Sequence, residues 1–158
     1  PRTPKGWTVV DDHILNIIIR GHGTADQRAD VFTTLSTYAG VSAFWAKIRL
    51  QELQDGIILS FALVDGRWVV FDVANGVVFR NDRGDLATPA DLRNRRDLIP
   101  SRLHDLKVGV VPYPRFLERL QRPPVPNPLR AELQMSWERL RYELGRVLSV
   151  GESDGFQR

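Results

Sequence analysis

The stretch Gly21-His22-Gly23-Thr24-Ala25-Asp26-Gln27-Arg28-Ala29-Asp30-Val31-Phe32 decides the fold. Two glycines tighten the chain before Thr24. Thr24 and Gln27 stand at the Ser/Thr-x-x-Glu/Gln spacing of a capping box. The spacing predicts Thr24 as the N-cap and Ala25 as the first helical residue. Downstream, Ala29, Phe32, Leu35 with Ser36, and Ala39 recur at helical spacing, and Gly40 ends the run. A side chain at position 25 stands at the positive end of the helix dipole, beside N–H groups that have no partner within the helix. A cysteine there would carry a stabilised thiolate and act as a nucleophile. This chain has alanine at that position and no cysteine among its 158 residues.

On the N-terminal side, residues 1–10 read as an extended arm. Asp11-Asp12 offers an N-cap to a short helix whose Ile14, Leu15, Ile17, Ile18 and Ile19 are apolar nearly all round, the pattern of a buried helix. On the C-terminal side the period changes to two. Ser42 to Leu50 alternates around Phe44, Ala46, Ile48 and Leu50, a half-buried strand. Ile57 to Val64 is near-continuously apolar and reads as a central strand. Asp65-Gly66 is a two-residue hairpin signal leading to a third strand, Arg67 to Val73. Val77 to Phe79 and the turn Asn81-Asp82-Arg83-Gly84 follow.

Thr88-Pro89 with Asp91 starts a further short helix. A strand is predicted at Lys107 to Val111, and Pro114 opens a helix through Leu120. The domain is assigned to residues 1–121. A proline-rich spacer covers 122–128, and an amphipathic helix over 129–148 is expected to pack on the core, leaving a flexible tail at 149–158. The fold class is α+β: a central helix packed on an antiparallel β-meander, with C-terminal helices.

Composition bounds function loosely. Hydrophobic residues make up 42% and charged residues 26%, as in ordinary globular domains. The net charge of +3 is too small to imply nucleic acid by itself. The absence of cysteine excludes disulfides and zinc-thiolate sites. No apolar run reaches the ~18 residues of a membrane helix, and no signal peptide is read, so a cytoplasmic location is favoured.

Taken together, these motifs resemble the bacterial transglutaminase-like family, which shares the papain-type cysteine-protease core. The family's Gly-x-Cys-x-x-x-Ala corresponds to Gly23-Thr24-Ala25-Asp26-Gln27-Arg28-Ala29. Its Gly-Ile/Val-x-Ala corresponds to Gly40-Val41-Ser42-Ala43, and its Gly-His to Gly56-Ile57. Its Asp-Gly-Lys/Arg-Trp turn and Trp-x-x-x-Asp are matched by Asp65-Gly66-Arg67-Trp68 and by Trp68 to Asp72, with Val73 where proline is usual. The resemblance covers roughly residues 14–92. It implies an acyl-transfer or amide-hydrolysis scaffold in which cysteine attacks, histidine takes its proton and aspartate orients the imidazole.

Carried over position by position, that triad becomes Ala25, Ile57 and Asp72. A methyl group cannot attack a carbonyl, and isoleucine cannot accept a proton. The expectation is a pseudoenzyme with no catalytic residues, no cofactor and no metal. It would bind a protein or peptide, and family analogy places it in a bacterial surface-polymer or polysaccharide system. Two alternatives stand beside it. One is a thiol acyltransferase or amidohydrolase whose cysteine has been replaced by Ala25. The other is a basic nucleic-acid-binding module built on Arg93, Arg95, Arg96 and Arg102, though no aromatic interleaves with those arginines.

The groove candidates are His22, Thr24, Asp26, Gln27 and Ser60. His22 reads as a turn residue or a displaced base, Thr24 as a cap, and Asp26 as a first-turn acid complementing the dipole. Ser60 is the nearest polar alternative to Ile57. Asp72, without a histidine, is expected to pair with an arginine. Residues 82–85 read as a plain turn, because they lack the ligand ladder of a calcium loop.

Overall fold

The computed structural model describes residues 14–50 and 54–120. The predicted arm, spacer, final amphipathic helix and tail lie outside the described residues. The order is α1 (Ile14–Arg20), α2 (Ala25–Tyr38), β1 (Ala43–Arg49), β2 (Gly56–Val64), β3 (Arg67–Asp72) and β4 (Val77–Val78). Short elements follow: α3 (Pro89–Asn94), α4 (Ser101–His104), β5 (Lys107–Val108), β6 (Val111–Pro112) and α5 (Pro114–Leu117). Strands β1 to β4 form one antiparallel sheet in the order β1-β2-β3-β4, an α+β arrangement. No helix among the described residues is long and apolar enough to cross a membrane.

Turn chemistry sets the sheet's register. Asp65 (φ 49°) and Gly66 (φ 72°) both adopt positive φ, the type I′ geometry whose twist matches that of the flanking strands. Val64 therefore pairs with Arg67, and Phe61 with Val70. Gly21 (φ 71°) closes α1, its N–H donating to the Ile17 carbonyl at 3.0 Å. At α3, Thr88 and Asp91 exchange capping bonds: the Thr88 N–H donates to the Asp91 carboxylate at 2.8 Å, and the Asp91 N–H to the Thr88 hydroxyl at 3.3 Å.

The main core lies on one face of the sheet. Phe44, Leu59, Phe61, Val70 and Phe79 pack there against Leu92, Leu103, Tyr113, Phe116 and Leu117 from the later segments. Each such side chain, fully buried, contributes about 1.5–3 kcal/mol. Phe44 stacks on Phe61 with ring centroids 4.9 Å apart and meets Trp68 edge-on. A smaller cluster of Ala43, Ala62 and Val69 occupies the other face. Helix α2 packs against that side of the sheet, with Phe32 on Phe71 at 5.0 Å.

Three expectations require correction. The buried residues of α2 are Gln27, Ala29, Asp30, Thr33 and Thr34, while Leu35 is half exposed and Ala39 exposed. Small and polar residues meet the sheet, and Asp30 and Thr33 find partners for their polar atoms, whereas the Thr34 hydroxyl is buried without one among the described residues. The Trp45 indole N–H donates to the Asp30 carboxylate at 2.5 Å, and the Thr33 hydroxyl donates to the Ala29 carbonyl at 3.0 Å. Helix α1 buries only Ile14 and Ile17; Leu15, Ile18 and Ile19 are exposed. The strand predicted at Lys107 to Val111 is instead a tight hairpin. Gly109 turns it at φ 62°, and Lys107 pairs with Pro112.

Gly56 is required by close approach. A Cβ there would lie 2.2 Å from the Ile48 carbonyl oxygen, a backbone atom that cannot swing aside. Gly56→Ala is expected to destabilise the domain by about 1–3 kcal/mol or more, as for other overpacked positions, measured by urea unfolding.

Candidate functional site

A cleft of about 280 Å³ opens where α2 begins. Ala25 and Arg28 line it from the helix. Lys47, Gly56, Ile57 and Ile58 line it from the adjoining ends of β1 and β2. Asp72, Ala74 and Asn75 line it from the end of β3 and the following turn, and Leu106, Val108 and Tyr113 from the later segment. Positions 25, 57 and 72 therefore share one cavity, although 47 residues of chain separate the first from the last.

Each of the three arrives by a local rule. Thr24 leads into α2 in extended conformation (φ −67°, ψ 171°), and the Gln27 side-chain oxygen accepts the Thr24 N–H at 3.1 Å. That puts Ala25 at the first helical position, in the cleft wall. Antiparallel pairing of β2 with β3 sets Ser60 opposite Phe71, which carries the start of β2 and the end of β3 to the same end of the sheet. Asp72 is the last residue of β3, and the chain turns sharply after it through Asn75 and Gly76.

Asp72 is 1% exposed, and its carboxylate is well supplied with donors. The Asn75 backbone N–H reaches Oδ1 at 2.9 Å, the Asn75 side-chain amide reaches Oδ2 at 2.7 Å, and the Tyr113 hydroxyl reaches Oδ2 at 2.5 Å. The expected arginine partner is not what holds it. Arg28 stands in the same cleft, but its Nη1 donates to the Ala74 carbonyl at 2.7 Å. Burial, and then the neighbouring Asp72 charge and hydrogen bond, push the Tyr113 phenol well above its ordinary range. Tyr113 thus remains a neutral donor at physiological pH. The rim differs in character: Lys47 stands 3.8 Å from Asp55, whose side chain is 81% exposed.

The remaining candidates scatter. Thr24, Asp26 and Gln27 form the start of α2, with the Thr24 hydroxyl donating to the Asp26 carboxylate, but none of them lines the cleft. His22 lies in the preceding turn, where its carbonyl accepts from Arg20 Nε at 3.2 Å, and it too is outside the lining. Ser60 is a correction. It is 1% exposed and lies outside the cleft, with its hydroxyl unpartnered among the described residues. It faces the side of the sheet opposite to Ile57, the side of Ile58, but lies two residues further along β2 than the cleft-lining Ile58.

The arginine cluster is largely engaged within the chain. Arg95 pairs with Asp82 at 2.7 Å and Asp97 at 2.6 Å, and Arg96 pairs with Glu118 at 2.5 Å. Arg102 donates to the Gly76 carbonyl at 3.0 Å, and Arg93 to Asn94 at 3.3 Å. At Asn81–Asp85 the Asn81 side chain accepts from the N–H groups of Arg83 and Asp85, both at 3.0 Å, and so organises the turn. No group of three or more metal-ligating side chains is assembled among the described residues. Leu106, Val108 and Tyr113 are lining residues that no sequence motif marks.

Comparison of the chain with protein-family models, with curated proteins and with solved structures gave no match.

Removing the Tyr113 hydroxyl leaves the buried Asp72 carboxylate one donor short. Tyr113→Phe is expected to cost about 1.5–3 kcal/mol by urea unfolding, the range for a hydrogen bond to a charged group. The sign with pH follows from the raised phenol. Its contribution is complete below the unfolded value of about 10 and declines as pH rises beyond it. The wild-type chain should lose stability more steeply than Tyr113→Phe above about pH 10.

Proposed function

We propose that this chain is a non-catalytic, transglutaminase-like module whose cleft binds a protein or peptide segment without cleaving it. The carrying observation is that Ala25, Ile57 and Asp72 line one cleft at the start of a helix and the ends of two antiparallel strands. Those are the three positions at which the family resemblance puts nucleophile, base and orienting carboxylate. Here they present a methyl group, a buried sec-butyl group and a carboxylate already occupied by Asn75 and Tyr113. Nothing at positions 25 or 57 can attack or take a proton. What persists is a concave surface with an apolar lining and a few fixed polar groups, the ordinary make-up of a binding site. A place in a bacterial surface-polymer or polysaccharide system remains part of this reading, on analogy alone.

Two experiments test it. In this cysteine-free chain, Ala25→Cys with Ile57→His introduces a single thiol. If the scaffold is that of a cysteine nucleophile, the rate of iodoacetamide labelling against pH should report a thiol pKa clearly below the ordinary value of about 8.5. A thiol at or above that value would overturn the transglutaminase-like assignment. For binding, a random peptide display library is selected against the folded wild-type chain. Filling the cleft with Ala25→Trp or Ala74→Trp, each checked by thermal melting, should weaken the enriched peptides at least tenfold. Equal binding to a folded plugged variant, or no enrichment, would sink the binding function.

A further inference from the structure

We infer that the segment taken by this cleft is acidic: a carboxylate side chain next to an apolar one. The inference rests on the proposed binding reading and adds a ligand class to it. The volume of about 280 Å³ is at the lower end for ligand clefts, room for one or two side chains. Its walls divide by chemistry. Ile57, Ile58, Leu106 and Val108 supply an apolar surface. Two cationic side chains, Arg28 and Lys47, share the same cavity.

The charges in the cleft are not equivalent. The Asp72 carboxylate is buried and accepts three hydrogen bonds from Asn75 and Tyr113, so its demand for donors is met within the chain. Arg28 is held against the wall by the Ala74 carbonyl, which fixes the guanidinium in place before any ligand arrives. Lys47 has a weak partner in Asp55: the separation is 3.8 Å and both groups reach solvent. Such a pair is worth little and exchanges readily for a ligand carboxylate. The positive end of the α2 dipole, at Ala25, adds to the same potential. An incoming carboxylate thus meets the exchangeable Lys47 ammonium in the field of the nearby Arg28 guanidinium, while its apolar neighbour covers Ile57 and Ile58.

The test sequences the peptides enriched on the wild-type chain and measures them as fluorescein-labelled probes. Expected results are Asp or Glu beside Leu, Ile, Val or Phe in the enriched set, and affinity at least tenfold weaker on Lys47→Glu. Replacing the peptide's acidic residue with its amide should weaken binding similarly, and raising NaCl from 50 to 500 mM should weaken it several-fold. Lys47 is exposed, so its reversal should leave the melting curve in place. Peptides that lose affinity on Ala25→Trp or Ala74→Trp but lack acidic residues, or that bind Lys47→Glu as tightly as wild type, would overturn the acidic specificity and leave the binding cleft standing. Peptides indifferent to both folded plugs, or no enrichment at all, would remove both.

Discussion

A buried carboxylate must be met by donors, and much of this structure follows from how Asp72 is met. A charge taken out of water costs several kcal/mol unless hydrogen bonds replace its hydration. Two of the replacements come from Asn75, three residues on, and they fix the turn that ends β3. The third comes from Tyr113, which is 41 residues away. That one bond ties the short elements after the sheet to the end of a central strand. Leu106 and Val108 of the same segment line the cleft beside Tyr113.

The same bond bears on the chemistry. In an acyl-transfer triad the carboxylate accepts from an imidazole and holds it toward the nucleophile. Asp72 accepts instead from the Tyr113 phenol and from Asn75. Removing the acid would strand the buried Tyr113 phenol and leave the half-buried Asn75 amide without its acceptor.

Much of the frame was legible in the sequence because it is set by local chemistry. Asp65-Gly66 dictates a type I′ turn, Thr88-Pro89 with Asp91 dictates a cap, and the alternation around Phe44 and Ile48 marks a strand. Positions 25, 57 and 72 were linked only through the family resemblance; neither periodicity nor spacing by itself says that they share a cleft. The inner face of α2 was legible only in part. Apolar periodicity pointed to Ala29, which is buried, and to Phe32, which packs on Phe71, but also to Leu35 and Ala39, whereas the sheet receives Asp30, Thr33 and Thr34. Asp30 is tolerated because Trp45 stands across from it, a non-local fact that no helical period encodes. Ser60 was a different case. Strand alternation sets it opposite to Ile57, but Ile58 on the same side as Ser60 does line the cleft, so parity alone does not decide its exclusion.

Tyr113 marks the limit of sequence reading. Nothing in Val111-Pro112-Tyr113-Pro114 announces a partner for a carboxylate at the end of β3. The pairing depends on the hairpin at Gly109 and on the burial of Phe116 and Leu117, which pull the segment onto the sheet. The hydrogen bond follows from that apolar docking, because a phenol carried into a core must find an acceptor. Asp72 is the acceptor it finds, and the same bond supplies the donor that the carboxylate lacks. Two groups that would each be costly alone become mutually stabilising, and the cleft wall between α2 and the later segment is the geometric consequence.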